Sequence, residues 1–299
     1  MIPFVRAFDF DYGRVDEVSP RIRRVVAQNP GPFTFTGTGT YIVGRGEVAV
    51  IDPGPDLPSH LQALLAAVAG ERVSHVLVTH THADHSPLAR PFANAVGARI
   101  LAARPPSAHG PAEARVEEDD DQAFHPDAIL EGGERLQGPD WTLEAIATPG
   151  HASNHMAFAL LEENALFSGD HVMGWSTTVV APPDGDMGAY YESLDAVAAR
   201  GFATLWPTHG PPVREPAPFL AAYKAHRLAR ERQILERLAA GDHTIAELVP
   251  QIYAEVDQRL WPAASQSVLA HLLHLHRQGV VEAQPEPGPL ARFRLLGVP

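Results

Sequence analysis

The stretch "VTHTHADHSP", from Val78 to Pro87, places three histidines and an aspartate within six consecutive positions. It follows an aliphatic run, "HVLVT", which predicts a buried β-strand. Side chains on a loop that leaves the C-terminal end of such a strand point away from the hydrogen-bonded ladder, and this is a common position for catalytic groups in α/β folds. The stretch therefore predicts a functional loop at the edge of a sheet.

The spacing within this loop suits metal binding. His80 and His82 alternate, so their imidazoles can converge on one ion, and the adjacent pair Asp84 and His85 can turn toward a second position. Neutral imidazole and carboxylate are ligands for zinc, iron(II) or manganese(II). A purely structural loop gains little from three titratable rings held close together, so the cluster indicates a metal site.

Further candidate ligands follow later apolar segments and stand beside glycine or proline, where the backbone can approach closely. These residues are His151 in "TPGH", Asp170 in "FSGDH" and His209 in "LWPTHG". Taken singly, each has an ordinary structural explanation as a hydrogen-bonded histidine or a turn aspartate. Together with the loop after the strand they complete a set of candidate metal ligands.

Composition narrows the chemistry. The 299 residues carry a formal net charge of −13, which argues against a protein that binds nucleic acid mainly through a basic surface. The chain has no cysteine, so thiolate metal sites, disulfides and a cysteine nucleophile are excluded. Asp9 and Asp11 stand where a signal peptide would need an apolar core, and no apolar run approaches transmembrane length. We therefore expect a cytoplasmic protein with no membrane association.

Two composition regimes meet in the proline-rich segment "GPPVREPAPF", from Gly210 to Phe219. Upstream, short strand-like runs alternate with helical stretches, one of which has Asp186 as a candidate cap, and this mixture predicts sheets covered by helices. Downstream, three helical segments and two short apolar runs outline a winged helix. The predicted domains are residues 1–217 and 218–299.

The motifs "THTHADH", "TPGH", "SGD" and "THG", in this order and with these gaps, resemble the metallo-β-lactamase fold superfamily between about Thr36 and Pro212. The resemblance implies an α/β fold, a four-layer αββα sandwich, followed here by a small C-terminal winged-helix-like domain. It also implies two divalent metal ions, with zinc as the first choice and iron or manganese as alternatives. The implied ligands are His80, His82 and His151 for the first ion, Asp84, His85 and His209 for the second, and Asp170 as a bridge.

The mechanism implied by the resemblance is hydrolysis by a hydroxide that bridges the two metal ions, with Asp84 as the catalytic residue that orients it. An aspartate at the "SGD" position resembles the dinuclear hydrolases of the superfamily more than the classical lactamases that have cysteine there, in agreement with the absence of cysteine. No organic cofactor is expected.

A more specific resemblance extends over nearly the whole chain. The segment "TGTGTYIVG" (Thr36–Gly44), the run from His155 to Val180 and the helical C-terminal extension resemble the β-lactamase-like protein two branch, which has a C-terminal winged helix and includes endoribonucleases. The chain departs from this branch at Gly39, where asparagine is common, and at Thr208, where glycine is common. The side chains expected on the substrate side are Tyr41, His155, Trp175 and Thr177, with support of the ligands as the alternative for His155.

The sequence leaves the substrate open. The branch resemblance implies a phosphodiester such as single-stranded RNA, whereas the acidic balance and the wider superfamily allow a small ester, thioester or lactone, as for a lactonase or a glyoxalase-II-like thioesterase. A di-iron redox protein and a DNA-binding regulator are the non-hydrolytic alternatives. We interpret the C-terminal segment as a packing or dimerisation element, which would give a homodimer, or as a wall of the substrate channel.

Overall fold

The structure, a computed structural model, describes residues 2–106 and 121–297. Its first sheet has seven strands in sequential order, antiparallel from β1 to β4 and parallel from β4 to β7. The strands are β1 (Val15–Glu17), β2 (Ile22–Val26), β3 (Gly39–Val43), β4 (Glu47–Ile51), β5 (Arg72–Val78), β6 (Arg99–Ala102) and β7 (Ala128–Ile129).

The second sheet has the order β12-β11-β10-β9-β8, and only its β11–β12 pair is parallel. Its strands are β8 (Arg135–Gln137), β9 (Thr142–Ala147), β10 (Met156–Leu160), β11 (Ala165–Gly169) and β12 (Thr204–Pro207). The helices are α1 (Pro58–Ala67), α2 (Ala89–Val96), α3 (Met187–Arg200), α4 (Pro216–Leu238), α5 (Ile245–Ile252) and α6 (Trp261–Arg277).

The two sheets pack face to face and helices cover their outer faces. Side chains from both sheets, such as Ile51 and Phe158, form the central core. The outer face of the first sheet packs on α1 and α2 around residues such as Leu64 and Phe92, and that of the second packs on α3 around Leu194. The expected α/β sandwich of four layers is therefore confirmed.

The C-terminal part is a winged helix, as the sequence predicted. Helices α4, α5 and α6 pack on a three-stranded sheet of order β13-β15-β14, formed by β13 (His243–Thr244), β14 (Val281–Gln284) and β15 (Arg292–Leu295). Thr244 and Glu247 form a reciprocal capping box at the start of α5, which satisfies backbone donors that would otherwise be free. In the part of the chain described, no helix is both long and apolar enough to cross a membrane.

Helix α4 connects the two parts. It begins at Pro216, so the predicted boundary between residues 217 and 218 lies in its first turn. Its N-terminal half packs in the core of the sandwich through Phe219 and Tyr223, and its C-terminal half packs in the winged helix through Ile234 and Leu238. Helix α4 consequently holds the winged helix beside the sandwich.

Candidate metal centre

The seven predicted ligands follow the C-terminal ends of strands from both sheets. His80, His82, Asp84 and His85 stand on the loop after β5, which lies parallel to β4. The others follow three strands of the second sheet: His151 after β9, Asp170 directly after β11 and His209 after β12. Because the two sheets pack face to face, these loops meet at one edge of the sandwich, and the structure brings all seven side chains together.

Two glycines allow the loops to approach. Gly150, beside His151, has a φ of +140°, and a Cβ atom there would lie 2.4 Å from the Cα atom of Tyr190 in α3. Gly169, beside Asp170, has a φ of +52°, and a Cβ atom there would lie 2.5 Å from Nε2 of His155. Larger residues would therefore displace both ligand-bearing loops.

Three imidazoles form the first group. Nε2 of His80 lies 3.0 Å from Nδ1 of His82 and 3.2 Å from Nε2 of His151, and the His82 and His151 nitrogens are 3.2 Å apart. Three nitrogens bound to one tetrahedral zinc ion at the usual bond length would be about 3.3 Å apart. The triangle of nitrogens is thus close to one face of such a coordination sphere.

A carboxylate and two imidazoles form the second group. Oδ2 of Asp84 lies 3.0 Å from Nε2 of His209 and 3.4 Å from Nε2 of His85. Asp170 lies between the two groups: its oxygens are 3.6 Å from Nε2 of His85, 3.4 Å from Nε2 of His209 and 4.0 Å from Nε2 of His151. Asp170 can therefore provide oxygen atoms to both groups.

Hydrogen bonds on the outer sides of the rings fix the inner nitrogens as acceptors. The carbonyl oxygen of Val179 accepts a hydrogen bond from Nδ1 of His151, and the Thr79 hydroxyl, which donates its proton to Asp52, accepts one from Nδ1 of His80. The inner nitrogens of neutral His80 and His151 then carry lone pairs directed at each other. Such an arrangement is unfavourable unless a cation lies between them, so these residues fit a divalent metal ion.

The second group fits a cation for a complementary reason. Nε2 of His85 and Nε2 of His209 are buried and lie 3.4 Å and 3.0 Å from Oδ2 of Asp84, but neither nitrogen makes a well-aligned hydrogen bond there. Burial lowers the pKa of His209, but the carboxylates of Asp170 and Asp84 outweigh it and raise the pKa to about 10. Burial also lowers the pKa of His85, but the carboxylates of Asp84, Asp170 and Asp52 outweigh it and raise that pKa well above its ordinary value. The buried carboxylates thus favour a positive charge at this position, and a metal ion can provide it.

The pKa shifts divide the cluster into two halves. Burial, followed by the neighbouring histidines, lowers the pKa of His80 far below its ordinary value and that of His82 to about 3. Burial raises the pKa of Asp84 and of Asp170, but the adjacent His85 and His209 outweigh it and lower both. His80 and His82 are therefore neutral imidazoles, and Asp84 and Asp170 are ionised carboxylates, which are the forms of these side chains that bind metals.

Asp52, which the sequence analysis missed, supports the cluster from β4. Its side chain accepts hydrogen bonds from the Thr79 backbone (2.7 Å), the Thr79 hydroxyl (2.8 Å), Nδ1 of His85 (2.9 Å) and the Thr208 hydroxyl (3.0 Å). Its φ of +49° lies in the left-handed region, where aspartate is tolerated. The available signal was an aspartate at the end of "EVAVIDPG", a predicted strand.

Two of the four residues expected on the substrate side lie elsewhere. Tyr41 is 2% exposed in the core between the sheets, and its hydroxyl donates to the carbonyl oxygen of Pro207. His155 is 1% exposed; its Nδ1 contacts the Thr148 hydroxyl at 2.7 Å and its Nε2 accepts from the Asp170 backbone N–H at 3.1 Å. Neither side chain fits a direct contact with substrate, because strand packing buries both; His155 instead holds the backbone of Asp170.

Trp175 and Thr177 are only half-buried. Both line a cavity of about 460 Å³ that contains Asp170 and extends to the winged helix. The Trp175 ring stacks on Phe35 at 4.8 Å between centroids. Helices α4 and α6 provide the opposite wall through residues such as Arg227 and Ala264. The C-terminal part is thus a wall of the cavity beside the ligand cluster.

Comparisons with known proteins agree with this architecture. A model of the metallo-beta-lactamase superfamily matches residues 34–209, and one of the beta-lactamase associated winged helix domain matches residues 244–288. A beta-lactamase-like protein 2 homolog of Caenorhabditis elegans is 30% identical over 90% of this chain and 88% of its own length.

Two further relatives extend the comparison. An atrochrysone carboxyl ACP thioesterase of Aspergillus chevalieri is 32% identical over 87% of this chain and 82% of its own. The crystal structure of a metallo-beta-lactamase family protein from Thermus thermophilus superimposes with a TM-score of 0.75 at 26% identity, and the match covers 93% of this chain and 100% of that one. The similarity therefore includes the winged helix as well as the sandwich.

Proposed function

The chain belongs to the metallo-β-lactamase superfamily and is a metal-dependent hydrolase of that family, and from this we propose that it hydrolyses thioesters or related esters at a dinuclear metal site. The observation that carries the proposal is the cavity beside Asp170, whose walls are mainly apolar and aromatic side chains. An acyl group can fill such a space, whereas a polyanionic strand cannot use most of it. Similarity to a relative named as a thioesterase supports the same substrate class.

We propose that zinc is the bound metal, in two ions. His80, His82 and His151 would hold one ion, Asp84, His85 and His209 the other, and Asp170 would contact both. When bound, two such cations lower the pKa of a water molecule and neutralise the charge that develops on the attacked oxygen. The donor set of imidazoles and carboxylates suits zinc, and iron(II) or manganese(II) would also accept it.

The residues of the chain then have distinct tasks. Asp84 stays ionised beside His85 and His209, so its carboxylate can accept a hydrogen bond from the attacking water and orient it. Trp175 and Phe35 provide an aromatic wall that binds the acyl group and excludes bulk water. Asp170 is held in place through its backbone, where the N–H donates to His155 and the carbonyl accepts from the Thr178 hydroxyl.

Hydrolysis of a thioester forms a carbon–oxygen and a sulfur–hydrogen bond and breaks a carbon–sulfur and an oxygen–hydrogen bond. The water oxygen adds to the thioester carbonyl carbon and the water loses a proton, the carbon–sulfur bond breaks, and the thiolate takes up that proton and leaves as a thiol. A phosphodiester is the second candidate substrate, because Arg6, Arg227 and Arg230 line the same cavity and could bind phosphate oxygens.

The test compares both substrate classes on one preparation. The protein is stripped of metal with a chelator, reloaded with zinc or manganese, and given the N-acetylcysteamine thioester of phenylacetic acid or a labelled single-stranded RNA. Thiol release is followed with a disulfide reagent, and the absence of cysteine removes any background from the protein. Asp84→Ala is the inactive control, and Asp56→Ala, which alters an exposed aspartate, is the matched control.

We expect zinc-dependent thiol release by the parent and by Asp56→Ala but not by Asp84→Ala. Thiol release that is independent of metal, or that Asp84→Ala retains in full, would contradict the proposal. RNA cleavage by the parent without thioester hydrolysis would favour the second candidate.

A further inference from the structure

Three arginines line the cavity beside Asp170. Arg227 and Arg230 stand three residues apart on one face of α4, and Arg6 lies on the N-terminal segment opposite. Within residues 2–106 and 121–297, none of the three forms a salt bridge with a carboxylate. Asp170, the carboxylate that does line the cavity, already faces His85 and His209. The cavity therefore holds positive charge without a matching anion.

An unpaired charge on Arg227 costs free energy, because this side chain is only 4% exposed. Its guanidinium donates to the carbonyl oxygen of Thr178 and lies 5.3 Å from the centre of the Tyr190 ring, but its Nε has no hydrogen-bond partner. The Nε of Arg230 and Nε1 of Trp175 are also buried donors without a partner. A buried charge is normally paired, so these donors indicate that a bound ligand brings the acceptor.

The position of Arg227 limits how far this acceptor can be from the reacting carbon. The Thr178 hydroxyl donates to the carbonyl oxygen of Asp170 at 2.7 Å, and Thr178 in turn accepts from Arg227. Thr178 is thus the one residue between the Arg227 guanidinium and the backbone of Asp170. The straight distance from the Asp170 carbonyl oxygen to the guanidinium is therefore no more than about 10 Å.

We propose that the substrate carries a carboxylate on its acyl portion, and that this carboxylate binds Arg227 and Arg230. An apolar or aromatic body would lie between the carboxylate and the scissile carbonyl, against Trp175 and Phe35. This inference rests on the proposed hydrolysis of thioesters or esters. A guanidinium binds a carboxylate through two parallel hydrogen bonds, so the arrangement selects for the anion as well as attracting it.

The other source of an oxyanion is the phosphate of a pantetheine arm on the leaving thiol. About thirteen bonds separate the thioester sulfur from the phosphorus atom of that phosphate, which is about 16 Å when the arm is extended. The guanidinium of Arg227 is closer to the ligand cluster than this. The distance therefore favours an anion on the acyl side.

The test uses two thioesters that differ in one group. They are the N-acetylcysteamine thioesters of 4-carboxyphenylacetic acid and of 4-methylphenylacetic acid, measured with the zinc-loaded protein. The variants are Arg230→Gln, which alters a half-buried side chain, and Arg227→Lys, which keeps the buried charge but loses the planar fork. Arg232→Gln, an exposed arginine on the same helix, is the matched control.

We expect the parent and Arg232→Gln to prefer the carboxylate substrate in kcat/KM by about tenfold to hundredfold. Arg230→Gln and Arg227→Lys should lose most of this preference, because the KM for the carboxylate substrate rises much more than the KM for the methyl substrate. A merely structural role for the arginines would impair both substrates equally. Such an equal loss, or a parent that hydrolyses both substrates without preference, would overturn the inference and leave the proposed function intact.

Two further measurements separate the remaining outcomes. If the coenzyme A thioester of 4-methylphenylacetic acid is preferred over its N-acetylcysteamine thioester, and the arginine variants remove that preference, the bound anion is the leaving-group phosphate and the inference is wrong.

The second measurement is the binding of 4-carboxyphenylacetate and of 4-methylphenylacetate by calorimetry, which needs no turnover. Arginine-dependent preference for the diacid without hydrolysis of any thioester would support the anion site while contradicting the proposed function.

Discussion

Asp52→Asn is the most informative perturbation of the cluster, because Asp52 binds no metal in our account but holds the residues that do. Its oxygens accept four hydrogen bonds, one at Oδ1 from the Thr79 backbone and three at Oδ2, including that from Nδ1 of His85. Asparagine tolerates the left-handed backbone of this position as aspartate does, so the substitution tests the carboxylate and not the turn.

The size of the effect of Asp52→Asn follows from the number of hydrogen-bond acceptors that the side chain offers. An amide has one acceptor oxygen and presents its NH₂ group either to the Thr79 N–H or to the three donors at Oδ2. In either orientation at least one buried donor loses its acceptor, which costs about 1–3 kcal/mol of unfolding free energy. The ring of His85 loses the partner that fixes its tautomer, and outer partners of this kind change metal affinity by about 10- to 100-fold.

The assay is a competition titration of zinc between the protein and a chromophoric chelator, with urea unfolding of the metal-free protein in parallel. Asp56→Asn makes the same substitution at an exposed site four residues away and should match the parent. An Asp52→Asn protein that folds and binds zinc as tightly as the parent would refute the role of Asp52 in fixing His85.

Three further predictions concern charge and protonation. Asp84→Ala should lower kcat by about 10³-fold or more and leave the circular dichroism spectrum unchanged, because it removes the carboxylate that orients water; residual activity near the parental level would contradict this. Zinc binding at pH 7.5 should release about two protons and should become tighter as the pH rises, because His85 and His209 have raised pKa values and must lose protons to bind metal. Calorimetry in buffers of different ionisation enthalpy measures the number of protons released. Zinc binding without proton release would argue against His85 and His209 as ligands. Burial lowers the pKa of His60 to about 4, so the contribution of neutral His60 to stability is complete above pH 6.5 and is lost as the pH falls toward 4. Between these two pH values, His60→Gln should reduce the slope of the unfolding free energy against pH by about 1.4 kcal/mol per pH unit. An unchanged slope would show that His60 is not the group responsible for it.

The cluster of candidate ligands could be predicted from the sequence because its members follow strands that have local signatures. The apolar run before His80 and the glycine beside Asp170 mark strand ends without any knowledge of tertiary packing. The cap of α3 was predictable for the same reason: Asp186 accepts from the backbone N–H of Ala189, three residues away. Strand ends and helix caps can be predicted from a single sequence because neighbouring residues determine them.

The remaining features depend on contacts between distant segments. Asp52 lies 33 positions before His85, and their contact depends on the parallel register of β4 and β5. Whether Tyr41 faces the core or the cavity depends on the phase of β3, which the short run around it does not fix. The cavity arginines required the packing of α4 against the sandwich, which no local pattern encodes.

We propose above that one edge of the sandwich binds two metal ions in two adjoining sets of ligands. The most direct measurement is an anomalous difference map from a crystal of the zinc-loaded protein, recorded on both sides of the zinc absorption edge. We predict two peaks per chain, one among His80, His82 and His151 and the other beside Asp84 and His209, with Asp170 between them. A single peak, or peaks away from these side chains, would contradict the account.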